Sequence, residues 1–277
     1  MLIFASMQTF MTIRSWIKQR EIAGRPTFSI ADVKEEFPNT SVRVITSELY
    51  RLSKQSIIVS VYKCFYTVMP VQYSARGVVP PLYYIDLLMS YLGKPYYISL
   101  LSAAELHGAA HQRPQKFSVT TILPKTTTSS QYNNQLMWNY RREIPENLLM
   151  QKNSETGRVK FSSPELTAVD LVQYNQLIGG LSMAATVLEE LLEYTDFNKQ
   201  FETLLSVTNI PTLQRLGYIA EVILEETEQA NTLFNLLKSN NKRMKKVPLD
   251  SDHSTDGCQI DNRWNVIINQ TIEPDDI

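Results

Sequence analysis

The chain is poor in the residues that would organise it covalently or around a metal. Among 277 residues there are two cysteines and three histidines. Cys64 and Cys258 lie far apart in sequence, so a disulfide framework is not expected and a reducing, cytoplasmic setting is. No apolar run approaches the length of a membrane span. Met1-Leu-Ile-Phe-Ala-Ser is apolar but short and has no basic leader, so no signal peptide is expected there. A Gly-rich phosphate loop is also missing, because Gly179-Gly180 has neither the spacing nor a following Lys. There is no Gly-x-Ser-x-Gly elbow. Cys64 has no His near it in sequence, which leaves it without the usual means of activation. These gaps argue against an enzyme and against a bound cofactor.

His107 and His111 are four apart, a spacing that can put two metal ligands on one helix face. Gly108 follows His107 where a zinc-protease motif would carry its general-base Glu, and Gly108 with Pro114 points to a helix end between the two imidazoles. No metal site is therefore expected. Glu165 reads as an acid in a first helical turn, where the helix dipole favours it. Asp170 has no obvious catalytic partner in sequence. Glu189, Glu190, Glu193, Glu225, Glu226 and Glu228 read as solvated helix faces.

The charge is balanced overall, at −1, but it is unevenly spread. Residues 1–69 carry nine Lys or Arg against five acids, and the remainder carries eighteen against twenty-three. A basic front on an acidic body fits a nucleic-acid reader joined to a second function. The length suits two domains, each able to bury its own core.

The front has a recognisable order. Residues 7–20 place Phe10, Ile13, Trp16 and Ile17 on one stripe, which predicts a first helix. Ser29 can cap a second, short helix whose core face is Ile30, Val33 and Phe37. After Pro38-Asn39-Thr40, a longer helix runs to Lys54, with Asn39 or Thr40 as its cap. Ile57, Val59 and Val61 then alternate with Ile58 and Ser60, and Phe65-Tyr66-Thr67-Val68 closes a hairpin with Tyr62-Lys63-Cys64 at its tip. Helix, turn, helix and hairpin in this order predict a winged helix-turn-helix, whose second helix of the motif enters the DNA major groove. On that helix Val42, Ile45, Leu49 and Leu52 form the expected core stripe. Thr40, Arg43, Val44, Ser47, Arg51 and Lys54 fall opposite. Arg and Lys suit phosphates and guanine, hydroxyls suit phosphates or base edges, and Val44 suits a thymine methyl. Lys63 is the tip cation expected to meet a phosphate. The plain alternative is a solvated helix face.

Residues 72–81, with Ser74, Gly77, Pro80 and Pro81, read as a linker between a domain at 1–71 and another at 82–277. The second domain mixes patterns. Helices are expected near 82–92 and from Ser99, and strands at 117–123, 136–141, 158–161 and 263–269. A Thr/Ser loop falls at 126–130. Ser163-Pro164 starts a helix to about 176, and further helices follow at 181–194, 197–207, 212–225 and 228–239. The basic run 242–246 reads as a solvated loop, with contact to DNA phosphates or an acidic partner as the alternative. The whole is α+β, a winged helix-turn-helix followed by a larger mixed α/β domain.

Several segments resemble the AbiEi family, the antitoxin half of type IV toxin–antitoxin systems. They are Leu49-Tyr-Arg-Leu with Phe65-Tyr66, Tyr97-Ile-Ser-Leu-Leu-Ser-Ala-Ala-Glu-Leu-His-Gly-Ala, Phe161-Ser-Ser-Pro-Glu-Leu-Thr-Ala-Val-Asp-Leu, and Leu216-Gly-Tyr-Ile-Ala-Glu. The Ser-Ala-Ala-Glu-Leu-His-Gly segment is the most distinctive. The resemblance implies a bacterial autorepressor that binds inverted repeats in double-stranded DNA, self-associating there. It also implies a C-terminal antitoxin domain that counters a co-encoded nucleotidyltransferase-like toxin, without need of a stable complex. Ser56 and Cys64 depart from the family by standing where glycine is common around the wing. A protein-interaction module that has lost DNA binding is the alternative function class.

Overall fold

The computed structural model describes residues 11–109, 114–125 and 135–274. Among them, no helix is long and apolar enough to cross a membrane. The chain divides into two compact units. The first holds the described residues up to Lys94 together with Gln135 and Asn153–Val159. The second holds those of Pro95–Lys125 and Leu136–Lys152 and everything from Lys160 onward.

The first unit runs α1 (Ile13–Ile22), β1 (Thr27–Ser29), α2 (Ile30–Glu36), α3 (Val42–Lys54), β2 (Ile58–Tyr62), β3 (Phe65–Val68), α4 (Val71–Ser74) and α5 (Ile85–Leu92). Thr12 and Asp32–Ser29 capping boxes start α1 and α2, satisfying amides that have no partner inside the helix. The strands form one antiparallel sheet in the order β1-β3-β2. One apolar cluster joins these elements: Ile13, Trp16 and Ile17 from α1, Val33 from α2, Ile45, Leu49 and Leu52 from α3, and Phe28, Ile58 and Val68 from the sheet. Trp16 stands edge-on to Phe28 at 5.6 Å and to Phe37 at 6.3 Å, and Phe28 stacks on Tyr66 at 5.7 Å.

Two local expectations change here, and one falls on a residue beyond those described. Phe10 lies outside the described residues, while Ile13, Trp16 and Ile17 are buried. In β2 it is Ile58 and Val61 that face the core, because the register shifts between Ser60 and Tyr62 and breaks the simple alternation. Residues 72–81 belong to the first unit, whose division from the second falls after Lys94. Within that unit Gln72 donates to Glu155 Oε2 at 2.9 Å and the Tyr73 hydroxyl to Glu155 Oε1 at 2.5 Å. Side-chain bonds of this kind hold the segment in place where composition alone suggested a free connection.

A five-stranded sheet has the order β6-β5-β4-β8-β7, formed by β4 (Tyr96–Ile98), β5 (Phe117–Ile122), β6 (Leu136–Arg141), β7 (Leu149–Ser154) and β8 (Gly157–Ser162); all of its residues but the adjoining ends of β7 and β8, within 153–159, fall in the second unit. Pairing is antiparallel between β4 and β5, and parallel between β4 and β8 and between β5 and β6. The helices are α6 (Leu100–His107), α7 (Pro164–Gln173), α8 (Leu181–Leu191), α9 (Phe201–Val207), α10 (Ile210–Tyr218) and α11 (Thr227–Ser239). A π-helical turn, Ile219–Ile223, continues α10. A small sheet of β9 (Val247–Pro248), β10 (Ile260–Asp261) and β11 (Val266–Ile267) closes the chain. The mixture is α+β, as the residue pattern predicts. Strand β4 escaped that pattern because all three of its residues are buried, so nothing alternates. The Thr/Ser loop at 126–130 lies outside the described residues.

Candidate functional site

The surface of α3 is the first candidate. Ser41, not Asn39 or Thr40, caps the helix: its hydroxyl accepts from the Val44 amide at 3.4 Å. Thr40 is instead a loop residue whose carbonyl accepts Lys34 Nζ at 2.8 Å. Ile45, Leu49 and Leu52 are fully buried, and they alone form the core stripe. Val42, expected on that stripe, is 53% exposed; it is the first residue of α3. Arg43, Val44, Ser47, Arg51 and Lys54 are all exposed, and Tyr50 joins them at 66% exposure. Thr46 turns its hydroxyl back onto the Val42 and Arg43 carbonyls, both at 3.0 Å, leaving its methyl outward.

The cations on this face differ in their freedom. Arg43 has no ion-pair partner among the described residues. Lys54 lies over the Tyr50 ring at 5.4 Å. Arg51 is paired with Glu48 through Nε at 2.8 Å and Nη2 at 2.5 Å. That hydrogen-bonded guanidinium holds the Glu48 carboxyl below the usual range, with Arg14 contributing at longer reach. Tyr50 and Glu48 are the residues the sequence reading passed over. An exposed aromatic at i−4 to Lys54 and an acid at i−3 to Arg51 were the available signals.

Lys63 is exposed in a tight turn between β2 and β3, where Tyr62 faces Phe65. Ser56 and Cys64 both adopt the left-handed conformation, with φ of 54° and 60°. These are the two positions where glycine would be easiest, so the backbone keeps a glycine geometry with side chains attached.

The second candidate is a polar cluster buried in the second unit. Asp170 on α7 is fully buried; it accepts the Tyr97 hydroxyl at 2.8 Å and pairs with the Arg141 guanidinium. Arg141 also donates to the Val207 carbonyl at 2.7 Å and lies over the Tyr174 ring at 5.7 Å. Burial pushes the Asp170 carboxyl up, and the bonds from Arg141 and Tyr97 pull against it. Burial and the neighbouring carboxylate raise Tyr97 well above its usual value, so it stays a proton donor. Next to this group Thr120 donates to Ser99 at 2.8 Å and Asn139 to Thr120 at 3.3 Å. Every functional atom of the carboxylate is occupied by an internal bond. The arrangement locks β4, β6 and α7 together, and it offers no open nucleophile, acid or ligand.

The other segments singled out in the sequence have comparable internal roles. Ser102 accepts the Ser118 amide at 2.9 Å, while Ala103 and Ala104 are fully buried. His107 Nε2 lies 2.8 Å from the Ser162 carbonyl, which fixes the proton on that nitrogen. Burial lowers its pKa. Gly108 ends α6 in the left-handed region, and His111 lies outside the described residues. Among the described residues no group of three His, Cys, Asp or Glu side chains is placed to hold a metal. Glu165 is buried and accepts the Asp196 amide at 3.0 Å, a more specific job than dipole compensation. Gly217 lies under Trp264, where a Cβ would come within 2.1 Å of the indole. Glu221 in the π-helical turn accepts that indole N–H at 2.6 Å and pairs with Arg263.

Fold and site define a class: a two-unit α+β protein with a one-sided basic helix in the first unit and a polar-pinned core in the second. Residues 97–222 match the model of the AbiEi antitoxin C-terminal domain. That stretch of the chain is therefore similar to the antitoxin domain of the AbiEi family. None of the curated proteins matches the chain. The crystal structure of the RV2827C protein from Mycobacterium tuberculosis is similar in fold, with a TM-score of 0.64 at 13% identity. That similarity covers 91% of this chain and 89% of the other.

Proposed function

We propose that this protein is an antitoxin that also represses its own operon, binding operator DNA through α3 and countering a co-encoded nucleotidyltransferase-like toxin through the domain at 97–222. The observation that supports the DNA half is the order α1-β1-α2-α3-β2-β3 with sheet order β1-β3-β2, which fits the layout expected of a winged helix-turn-helix. In that layout α3 is the groove-reading helix and the β2–β3 hairpin is the wing. Arg43, Val44, Ser47, Arg51 and Lys54 then face DNA, Lys63 lies at the wing tip, and Thr40 precedes the helix. The antitoxin half rests on the family match. The reading is non-enzymatic and cytoplasmic, and it needs no cofactor.

Reversing Arg43 and Arg51 together to Glu is expected to abolish duplex binding by the full chain with circular dichroism unchanged. Wild-type binding should weaken steeply with salt, by roughly 0.9 in log–log slope per phosphate neutralised. The same double variant, expressed from an unrelated promoter beside the toxin gene, should still relieve growth arrest. Wild-type-like DNA binding by the double variant would remove α3 from the interface. Loss of protection together with loss of DNA binding would make repression the whole mechanism. Exposure of Val42, Val44 and Tyr50 on α3 favours the interaction-module reading, in which neither variant nor wild type binds duplex.

A further inference from the structure

The Glu48–Arg51 pair has a specific geometry with a consequence for base reading. Glu48 engages Arg51 side-on, Oε2 with Nε at 2.8 Å and Oε1 with Nη2 at 2.5 Å. A guanidinium carries five N–H groups in a fixed plane. The side-on pair uses the Nε hydrogen and one on Nη2. The opposite, end-on edge, with Nη1 and the second Nη2 hydrogen, is left open. The Arg51 side chain is 49% exposed and that of Glu48 28%, so the carboxylate is the inner partner and the guanidinium the outer one. Arg51 follows Val44 and Ser47 along the same ridge of α3, on its exposed face and in its last turn.

We propose that Glu48 is a specificity-determining residue, which holds the Arg51 fork so that its end-on edge reads guanine in the major groove; this rests on the DNA-binding reading above. Guanine presents O6 and N7 as two acceptors at the spacing of that edge. A phosphate could also accept the fork, but it would bring a second negative charge beside the Glu48 carboxylate. The neutral guanine edge avoids that repulsion. Holding Arg51 before contact also removes the side-chain freedom that an unbuttressed arginine would lose on binding. Arg43, with no such buttress among the described residues, is left to contact phosphate without selecting a base.

The test uses the full chain and a duplex pool with a randomised 20-base-pair centre. Wild type should select sites containing an invariant guanine. Replacing that guanine by 7-deazaguanine, which lacks the N7 acceptor, should weaken wild-type binding about tenfold. In Glu48→Ala and Glu48→Gln that penalty should fall below about threefold, while affinity for unselected duplex rises a few-fold as an acid leaves the face. Arg51→Lys, which cannot fork, should lose the penalty as well. Circular dichroism and thermal melts of each variant establish that α3 remains folded. If the Glu48 variants bind every duplex more tightly with the 7-deazaguanine penalty intact, Glu48 is only a repelling charge and the inference is wrong. If 7-deazaguanine leaves wild type unaffected, Arg51 meets phosphate and the inference is equally wrong. Failure of wild type to retain any duplex overturns the DNA-binding reading itself, a result distinct from the other two.

Discussion

Helices α3 and α7 are close in length and opposite in construction. On α3 only Ile45, Leu49 and Leu52 are buried, and the rest of the surface carries cations, hydroxyls and an exposed Tyr50. On α7 every residue from Glu165 to Val172 is buried, including the charged Asp170. A one-sided helix leaves a whole face free to evolve towards a ligand, because substitutions there disturb no packing. A helix buried all round has no such face, and its polar residues must be satisfied inside the fold. The two candidate sites divide accordingly: α3 leaves one polar face exposed, and α7 is buried all round and pinned within the second unit.

Disturbing α7 should therefore have the larger effect on stability. Asp170→Ala leaves Arg141 buried without its carboxylate and is expected to destabilise the second unit by about 3–5 kcal/mol. Replacing the pair by Asp170→Leu with Arg141→Met should recover most of that loss, since matched apolar groups can substitute for a buried ion pair. Urea denaturation of the three proteins checks both; a mild Asp170→Ala phenotype would mean that the pair does not pin the core.

On α3 the effect should depend on the face. Leu49→Ala should cost about 2–5 kcal/mol, because it opens a cavity beneath a fully buried side chain. Arg43→Ala should change stability by no more than about 0.5 kcal/mol. Melting temperatures that moved equally for the two would invert the assigned faces.

Smaller effects sharpen the picture within the second unit. Gly217→Ala forces the Trp264 indole to shift and should cost about 1–3 kcal/mol, read by thermal unfolding. His107 is held neutral by burial, so its folded pKa lies below its unfolded value. Its contribution is fully present above the unfolded value near 6.5 and is lost as pH falls below it, because the unfolded state then binds the proton more readily. His107→Gln should flatten the pH dependence of the melting temperature between pH 6.5 and 5, and an unchanged slope there would assign the acid sensitivity to other groups.

Much of the first unit could be read from its residues. Ser29 caps α2, Ile45, Leu49 and Leu52 repeat at helical spacing, and the hairpin follows directly. Ser163-Pro164 likewise marked the start of α7, and the AbiEi-like segments in the second unit coincide with the family match at 97–222. What escaped was long-range. The Arg141–Asp170 pair spans 29 residues, Glu221 meets Trp264 across 43, and Gln72 and Tyr73 meet Glu155 across 83 and 82. No local pattern announces such partners.

The sequence by itself determined the one-sided helix α3, the caps that start α2 and α7, and the α+β class. Each follows from periodicity or from a side chain acting on its own neighbours in the chain. Only the tertiary structure decided that Val42 would stay in solvent, that β4 would be buried too fully to alternate, and that Asp170 would be a pinned core carboxylate. Those outcomes depend on which distant surfaces cover a residue, and burial and pairing across the fold are not properties of a local stretch of chain.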